Sequence, residues 1–289
     1  MIPIHIRLLN KINPLLLWKL YSYRSKKIID RSYLILSFDC DTEEDIKCIE
    51  DVHKRLKDIG ITPVYAVPGE LLKKGENVYK KLCEQGSEFI NHGGRSHTYF
   101  DDKNNRHASC FFYDKQPLSI LEEDILDGHN TLKNVLGLTA EGFRTPHFGT
   151  FQNENHIKFL YSVLKKLEYK FSTSTTPSKA YEYGPIYEKY GINEIPVSGI
   201  FNEPLNIMDT WAYFASPEKT KYPHEYTDSS KKISEFSNDN SLIINIYGDP
   251  SHICNSKEFF ESMQILSKNA ININYKKLLD ITNENIRSI

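Results

Sequence analysis

From Tyr33 to the C-terminus the sequence alternates short apolar runs with amphipathic stretches, and no other feature restricts the fold as strongly. Tyr33-Leu34-Ile35-Leu36 reads as a buried strand. Ile46, Ile49, Val52, Leu56 and Ile59 then recur at helical spacing and stop at Gly60, a glycine C-cap. A second strand over 61–67 ends at Pro68-Gly69, a helix over about 77–85 stops at Gly86, and a third strand covers 87–92. A polar loop is expected over about 98–116. Pro117 then opens a long helix that ends near Gly137. Further strands are expected at 141–144, 169–174, 192–197, 241–247 and 271–275, with helices at about 153–167, 256–268 and the end of the chain. Sustained alternation of this kind implies a parallel sheet, closed as a barrel or doubly wound. The stretch 177–191, rich in Tyr, Pro and Gly, reads as an insertion or rim loop, and no domain boundary is expected inside 31–289.

Composition narrows the function classes. At 289 residues the chain can bury a sizeable single core, and a formal net charge of -2 implies no general surface for nucleic acid or for an anionic membrane. Cys40, Cys48, Cys83, Cys110 and Cys254 are odd in number and contain no C-x-x-C pair. That pattern suits a reducing compartment and argues against a disulfide framework or a cysteine zinc site. The N-terminal stretch, residues 1–30, is expected as an amphipathic helical extension, roughly 5–25, ahead of a catalytic barrel over 31–289. Its apolar run, 15–20, is too short and too charged to span a bilayer, and no small-residue cleavage site follows. Packing on the domain is its expected role and peripheral membrane contact the alternative. A cytoplasmic location is therefore expected.

The chemistry-bearing residues gather at strand ends, where ligand sites of parallel sheets and barrels lie. The first strand ends in Asp39 and Asp41, the third in His92 with His97 beyond, the fourth in Arg144-Thr145-Pro146-His147, and the seventh in Gly248-Asp249-Pro250-Ser251-His252. One Asp with two His suits a zinc-like divalent ion that keeps open positions for water. Two carboxylates one residue apart can divide metal binding from proton abstraction. Taken singly, Asp41-Thr42 reads equally well as a helix cap and a lone histidine as a core residue.

Three stretches in this order, Ser37-Phe38-Asp39-Cys40-Asp41, Asn91-His92-Gly93-Gly94-Arg95-Ser96-His97 and Phe143-Arg144-Thr145-Pro146-His147-Phe148-Gly149, resemble the first three motifs of the polysaccharide deacetylases. These are the NodB-homology domains of carbohydrate esterase family four. Ile195-Pro196-Val197-Ser198 followed by Asp209-Thr210-Trp211 is similar to the stretch before the last motif in many members, so the resemblance covers about 31–260. It implies an α/β fold, a distorted (β/α) barrel of about seven parallel strands, and metal-dependent removal of an acyl group from a sugar. Carried over residue by residue, it implies Asp39 as general base, Asp41 and His92 as metal ligands, and Arg144 as the residue that orients the base.

Two motifs depart from the pattern. The second histidine normally follows the first after three residues, where Ser96 stands here; His97 comes one later and is the expected ligand, with His107 a distant rival. Gly93-Gly94 can absorb the extra residue as a bulged loop. The last motif places a histidine near Gly248-Asp249, which leaves His252 as the expected general acid and His147 as its competitor. Pro146, His147, Trp211 and Tyr213 are expected around the substrate, the aromatic rings as a wall for a sugar or alternatively as core. An N-acetyl sugar intermediate of surface-glycan assembly is the expected substrate. A linear-amide hydrolase acting on a small non-sugar substrate and a decayed glycan-binding module are the alternatives.

Overall fold

The computed structural model of the chain describes residues 2–215 and 225–287. The N-terminal stretch forms two helices where one was expected, α1 (Ile4–Ile12) and α2 (Pro14–Ser25). The break is written at Asn13-Pro14. Proline suits a first helical position and not an interior one, and the Asn13 side chain accepts the Leu15 N–H as an N-cap.

β1 (Tyr33–Asp39) is buried along its whole length. α3 (Glu43–Asp58) opens with a capping box between Thr42 and Asp45. β2 (Val64–Val67), α4 (Gly69–Lys74), α5 (Glu76–Glu84) and β3 (Phe89–Asn91) follow. The polar stretch expected as loop over 98–116 contains an antiparallel hairpin instead, β4 (Thr98–Asp101) and β5 (Arg106–Ser109). Its turn is fixed by Asp101, whose carboxylate accepts the Lys103 and Asn104 N–H groups, and by Asn105 at a left-handed φ of 47°. α6 (Leu118–Leu136) runs from Pro117 to a left-handed Gly137, as its periodicity predicts. β6 (Gly142–Phe143), α7 (Glu154–Lys166) and β7 (Phe171–Ser172) come next. The expected rim loop at 177–191 holds α8 (Pro177–Tyr183) and β8 (Tyr187–Lys189), the latter antiparallel to β9 (Ile192–Glu194). α9 (Trp211–Phe214), α10 (Tyr226–Asn238), β10 (Ile243–Gly248), α11 (Pro250–Ile253), α12 (Lys257–Leu266), β11 (Ile271–Asn272) and α13 (Tyr275–Arg287) complete the described chain.

The strands order as β10-β1-β2-β3-β6-β7-β9-β8, with β11 also on β1, and β8 alone runs antiparallel in this sheet. The sheet curls into a half-barrel with helices around it. Alternation along β1 sorts its side chains. Leu34, Leu36 and Phe38 join the large cluster under the outer helices. Tyr33 and Ile35 join a second cluster with Val64, Ala66, Ile90, Phe171, Ile243 and, from α13, Tyr275, Leu278 and Leu279. Ser37 and Asp39 continue this second row, so the concave face turns from apolar to polar toward the C-terminal ends of the strands.

β10 and β8 end the strand order, and the sheet stays open at a seam between β10 and the chain that follows β9. Segment 195–198 spans it irregularly: the Ser198 N–H donates to the Asn245 carbonyl at 2.8 Å, and the Asn245 amide donates to the carbonyls of Ile195 and Pro196. α2 lies against the same seam. The Tyr21 hydroxyl donates to the Ile243 carbonyl at 2.6 Å, the Trp18 indole to the Phe201 carbonyl at 2.9 Å, and Arg24 to the Tyr181 carbonyl. Trp18 also stacks on Phe201 with ring centroids 5.5 Å apart, a contact worth about 1 kcal/mol beyond the area it buries.

Candidate active site

Asp41, His92 and His97 form a group able to hold a metal ion, with one ligand atom from each lying within 4.8 Å of the others. Each arrives by a different local device. Asp41 sits in the turn after β1, whose backbone is pinned when the Thr98 hydroxyl donates to the Asp41 carbonyl. His92 follows β3; its Nδ1–H faces the Arg144 carbonyl at 2.8 Å, which leaves Nε2 as the ring's lone-pair nitrogen. His97 precedes β4. Between the two histidines the chain is a loop and not a helix, so a five-residue spacing brings them together. Gly93 takes a φ of 85°, and the Gly94 and Arg95 N–H groups both bond the Asp124 carboxylate of α6. A Cβ at Gly93 would stand 2.3 Å from that carboxylate, so only glycine fits.

The donor atoms of this group are orphaned. His97 Nε2 lies 2.8 Å and His92 Nε2 3.5 Å from Asp41 Oδ1, and among the described residues these buried atoms have no hydrogen-bonding partner outside this group. Buried polar atoms without partners are costly and rare unless something else satisfies them. Two imidazoles and one carboxylate aimed at a common point are what a divalent ion requires, so the residues fit the group. Burial disfavours charge at Asp41, but His97 and His92 beside it outweigh burial and hold its carboxyl well below the usual range. His107, the rival ligand, faces Glu44 at 2.7 Å instead.

Asp39 and Arg144 meet as the sequence suggests. Arg144 is fully buried and donates from Nη1 to Asp39 Oδ1 at 2.6 Å. Its Nη2 donates to the Ser37 and Tyr275 hydroxyls, each at 2.8 Å, and the Tyr275 hydroxyl donates on to Asn245 Oδ1 at 2.7 Å. Phe148 and Tyr247 lie over the guanidinium at 5.4 and 5.3 Å. Burial raises the Asp39 carboxyl above its ordinary pKa, and Arg144 and His92 oppose that rise. Asp39 Oδ2 is left 3.8 Å from His92 Nε2. The sequence reading missed Ser37, Tyr275 and Asn245. Ser37 was findable as the inward neighbour of Asp39 on β1; nothing local marks the other two.

Asp39, Asp41, His147, Trp211, Tyr247 and His252 line one cleft of about 610 Å³. His252 lies in α11, which is tied to the first turn of α3 because the Ser251 N–H donates to Asp45 Oδ1 at 2.8 Å. Its Nδ1 lies 3.2 Å from Asp249 Oδ2 and 3.2 Å from the Thr210 hydroxyl. Burial opposes the charged ring, but Asp249 outweighs it and the pKa of His252 rises. His147 behaves oppositely: burial and the neighbouring His97 lower its pKa. His147 stands on a left-handed backbone, φ 55°, with Nε2 2.8 Å from the Cys110 carbonyl. Tyr213 is not among the cleft's lining residues; its ring packs at 5.1 Å on Tyr226 of α10. Pro146 likewise does not line the cleft.

No protein-family model matches the chain, and no curated protein matches it in sequence. In structure it is similar to the probable polysaccharide deacetylase of Pseudomonas aeruginosa, with a TM-score of 0.65 at 9% identity, over 91% of this chain and 94% of that one. The fold is that of the polysaccharide deacetylases. The same polysaccharide-deacetylase fold appears in the peptidoglycan deacetylase PdaC of Bacillus subtilis, with a TM-score of 0.54 at 11% identity, over 90% of this chain and 96% of that one. It appears also in a pseudoenzyme of carbohydrate esterase family four from Bacillus anthracis, with a TM-score of 0.53 at 10% identity, over 87% of this chain and 66% of that one.

Proposed function

We propose that the protein is a metal-dependent hydrolase that removes an N-acetyl, or related acyl, group from a sugar intermediate in the cytoplasm, during the building of a surface polysaccharide. The observation that carries this reading is the orphaned Asp41–His92–His97 donor set beside an aspartate held by a buried arginine. Solved structures of the same fold named as deacetylases support it. The five free cysteines support the cytoplasmic part. Among the described residues no helix is long and apolar enough to cross a membrane.

Asp41, His92 and His97 would hold the ion, and their nitrogen and oxygen donors suit zinc. When bound, such an ion supplies Lewis-acid polarisation of the acyl carbonyl and a water of lowered pKa. The chain's own residues do the rest. Asp39 takes the proton of the attacking water on Oδ2, because Oδ1 is engaged by Arg144. Arg144 fixes the carboxylate's direction and, through its cradle, cannot swing away. His252, whose pKa Asp249 raises against burial, gives its proton to the sugar nitrogen as the C–N bond breaks. Water oxygen ends on the acyl carbon, and the products are a carboxylic acid and a free amine. Trp211, Phe148 and Tyr247 offer flat apolar faces to a sugar ring.

Metal analysis of the purified protein, combined with an acetate-release screen over N-acetylated sugars, tests the reading. The expected result is about one divalent ion per chain and acetate released from at least one sugar. Asp39→Asn should keep the ion and lose on the order of 10²–10⁴ in rate. Acetate release undiminished in that variant, or no release by the metal-loaded protein from any sugar, overturns the proposal.

A further inference from the structure

α1 is apolar on two opposite sides. A surface helix with one side on a core normally carries polar residues on the other. Ile6 of α1 is fully buried, and Ile2 and Leu9 pack against the core with it. The far side nonetheless presents Ile4, Leu8 and Ile12, which are 72%, 53% and 74% exposed, in an i, i+4, i+8 stripe, and Leu16 in the first turn of α2 is exposed as well. Such residues scattered singly would need no explanation, but three in a row on one helical edge do. Arg7 and Lys11 border the stripe on the same helix, and both are exposed. Charge follows the same division: residues 1–29 hold six of the chain's 36 Lys and Arg and none of its 38 Asp and Glu.

We propose that the exposed face of α1, with the first turn of α2, docks the protein on an anionic lipid surface. An apolar stripe bordered by cations is the pattern of a helix lying in the lipid–water interface, with its side chains reaching the acyl boundary and its cations at the headgroups. A second copy of this chain fits the face poorly. A two-fold contact would set each cationic border against its own copy, without a carboxylate from residues 1–29 to offset it. The inference is independent of catalysis, and it places the protein where a lipid-carried substrate would be found.

Sedimentation with vesicles tests it on the full chain. The protein should pellet with vesicles of equal parts phosphatidylcholine and phosphatidylglycerol, and not with phosphatidylcholine alone. The double variant Arg7→Gln/Lys11→Gln should bind about 25-fold more weakly, at about fivefold for each cation removed near such a surface. Ile4→Ser/Ile12→Ser should lose binding by a similar or larger factor, with the circular dichroism unchanged because both side chains are exposed. Added salt should weaken wild-type binding. Wild-type protein left in the supernatant with anionic vesicles, or binding that both variants retain, overturns the proposal. So does a wild-type dimer that Ile4→Ser/Ile12→Ser converts to monomer in light scattering, which would assign the face to self-association.

Discussion

Tyr275→Phe tests the cradle that holds Arg144 against Asp39, the proposed base. The Tyr275 hydroxyl accepts from Arg144 Nη2 at 2.8 Å and donates to Asn245 Oδ1 at 2.7 Å, and the ring is fully buried among Phe171 and its neighbours. Replacing it with phenylalanine keeps the ring and its packing and deletes both bonds, with the hydroxyl's longer contacts to Ser37 at 3.3 Å and Thr173 at 3.5 Å. A hydrogen bond to a charged group contributes about 1.5–3 kcal/mol, and an acceptor left buried and unpaired costs about 1–3 kcal/mol. The two losses share one hydroxyl, so we expect about 3 kcal/mol of destabilisation in total. With a urea m-value of about 3 kcal/mol/M for a chain of this size, the midpoint should fall by about 1 M. Arg144 Nη1 still holds Asp39 at 2.6 Å, and the metal donors are untouched. Metal stoichiometry should therefore be unchanged, while kcat drops about tenfold as the guanidinium loosens and KM stays put. Urea titration and steady-state acetate release measure the two effects. A stability loss below about 0.5 kcal/mol, within the range of an ordinary surface substitution, would refute the claim that this hydroxyl holds the arginine.

Asp41→Ala and His92→Ala should each abolish stoichiometric metal binding with the fold intact by circular dichroism; His97→Ala should do the same, while His107→Ala should not, which elemental analysis decides. His252→Ala should lose the alkaline limb of the pH–rate bell and regain rate on an aryl acetate, whose leaving group needs no proton, whereas His147→Ala should keep that limb. Glu88 is pushed up to about 7 by burial, against hydrogen bonds from the Tyr275 and Lys276 N–H groups. Because the folded protein then holds a proton that the unfolded chain releases near 4.5, its contribution is full below pH 4.5 and is lost as pH rises through about 7. Glu88→Gln should flatten the fall of melting temperature across that window, as thermal unfolding at a series of pH values will show.

The sequence pointed to the candidate site through residues whose placement is local. β1 is a strand by its apolar run, and period-two alternation places Ser37 and Asp39 on one face without further information. Gly93-Gly94 announces a backbone that helical spacing rules do not govern, which is why His97 reaches the donor set from an irregular position. Tyr275 could not be found this way. It meets Arg144 across 131 residues, from the first turn of a helix whose pattern shows only that it is amphipathic. Asp124 is similar: a helical aspartate gives no sign that it will pin the loop between two histidines. The β4–β5 hairpin was hidden because its strands are short and half-exposed, with Tyr99 and Phe100 adjacent and not alternating, so neither face carries the pattern that marks a strand. The division between α1 and α2 was written plainly at Asn13-Pro14 and outweighed by the apolar run around it.

An unclosed sheet carries a hazard that a finished barrel does not, since its free edge offers carbonyls and N–H groups to any passing strand. At β10 that offer is withdrawn by a side chain: the Tyr21 hydroxyl takes the Ile243 carbonyl, and Trp18 and Tyr21 roof the gap against Tyr181. α2 thus serves the half-barrel as its missing stave. α1 hangs from that stave by a single residue, Asn13, so the face proposed to meet a membrane and the element that guards the sheet edge are one continuous piece of chain.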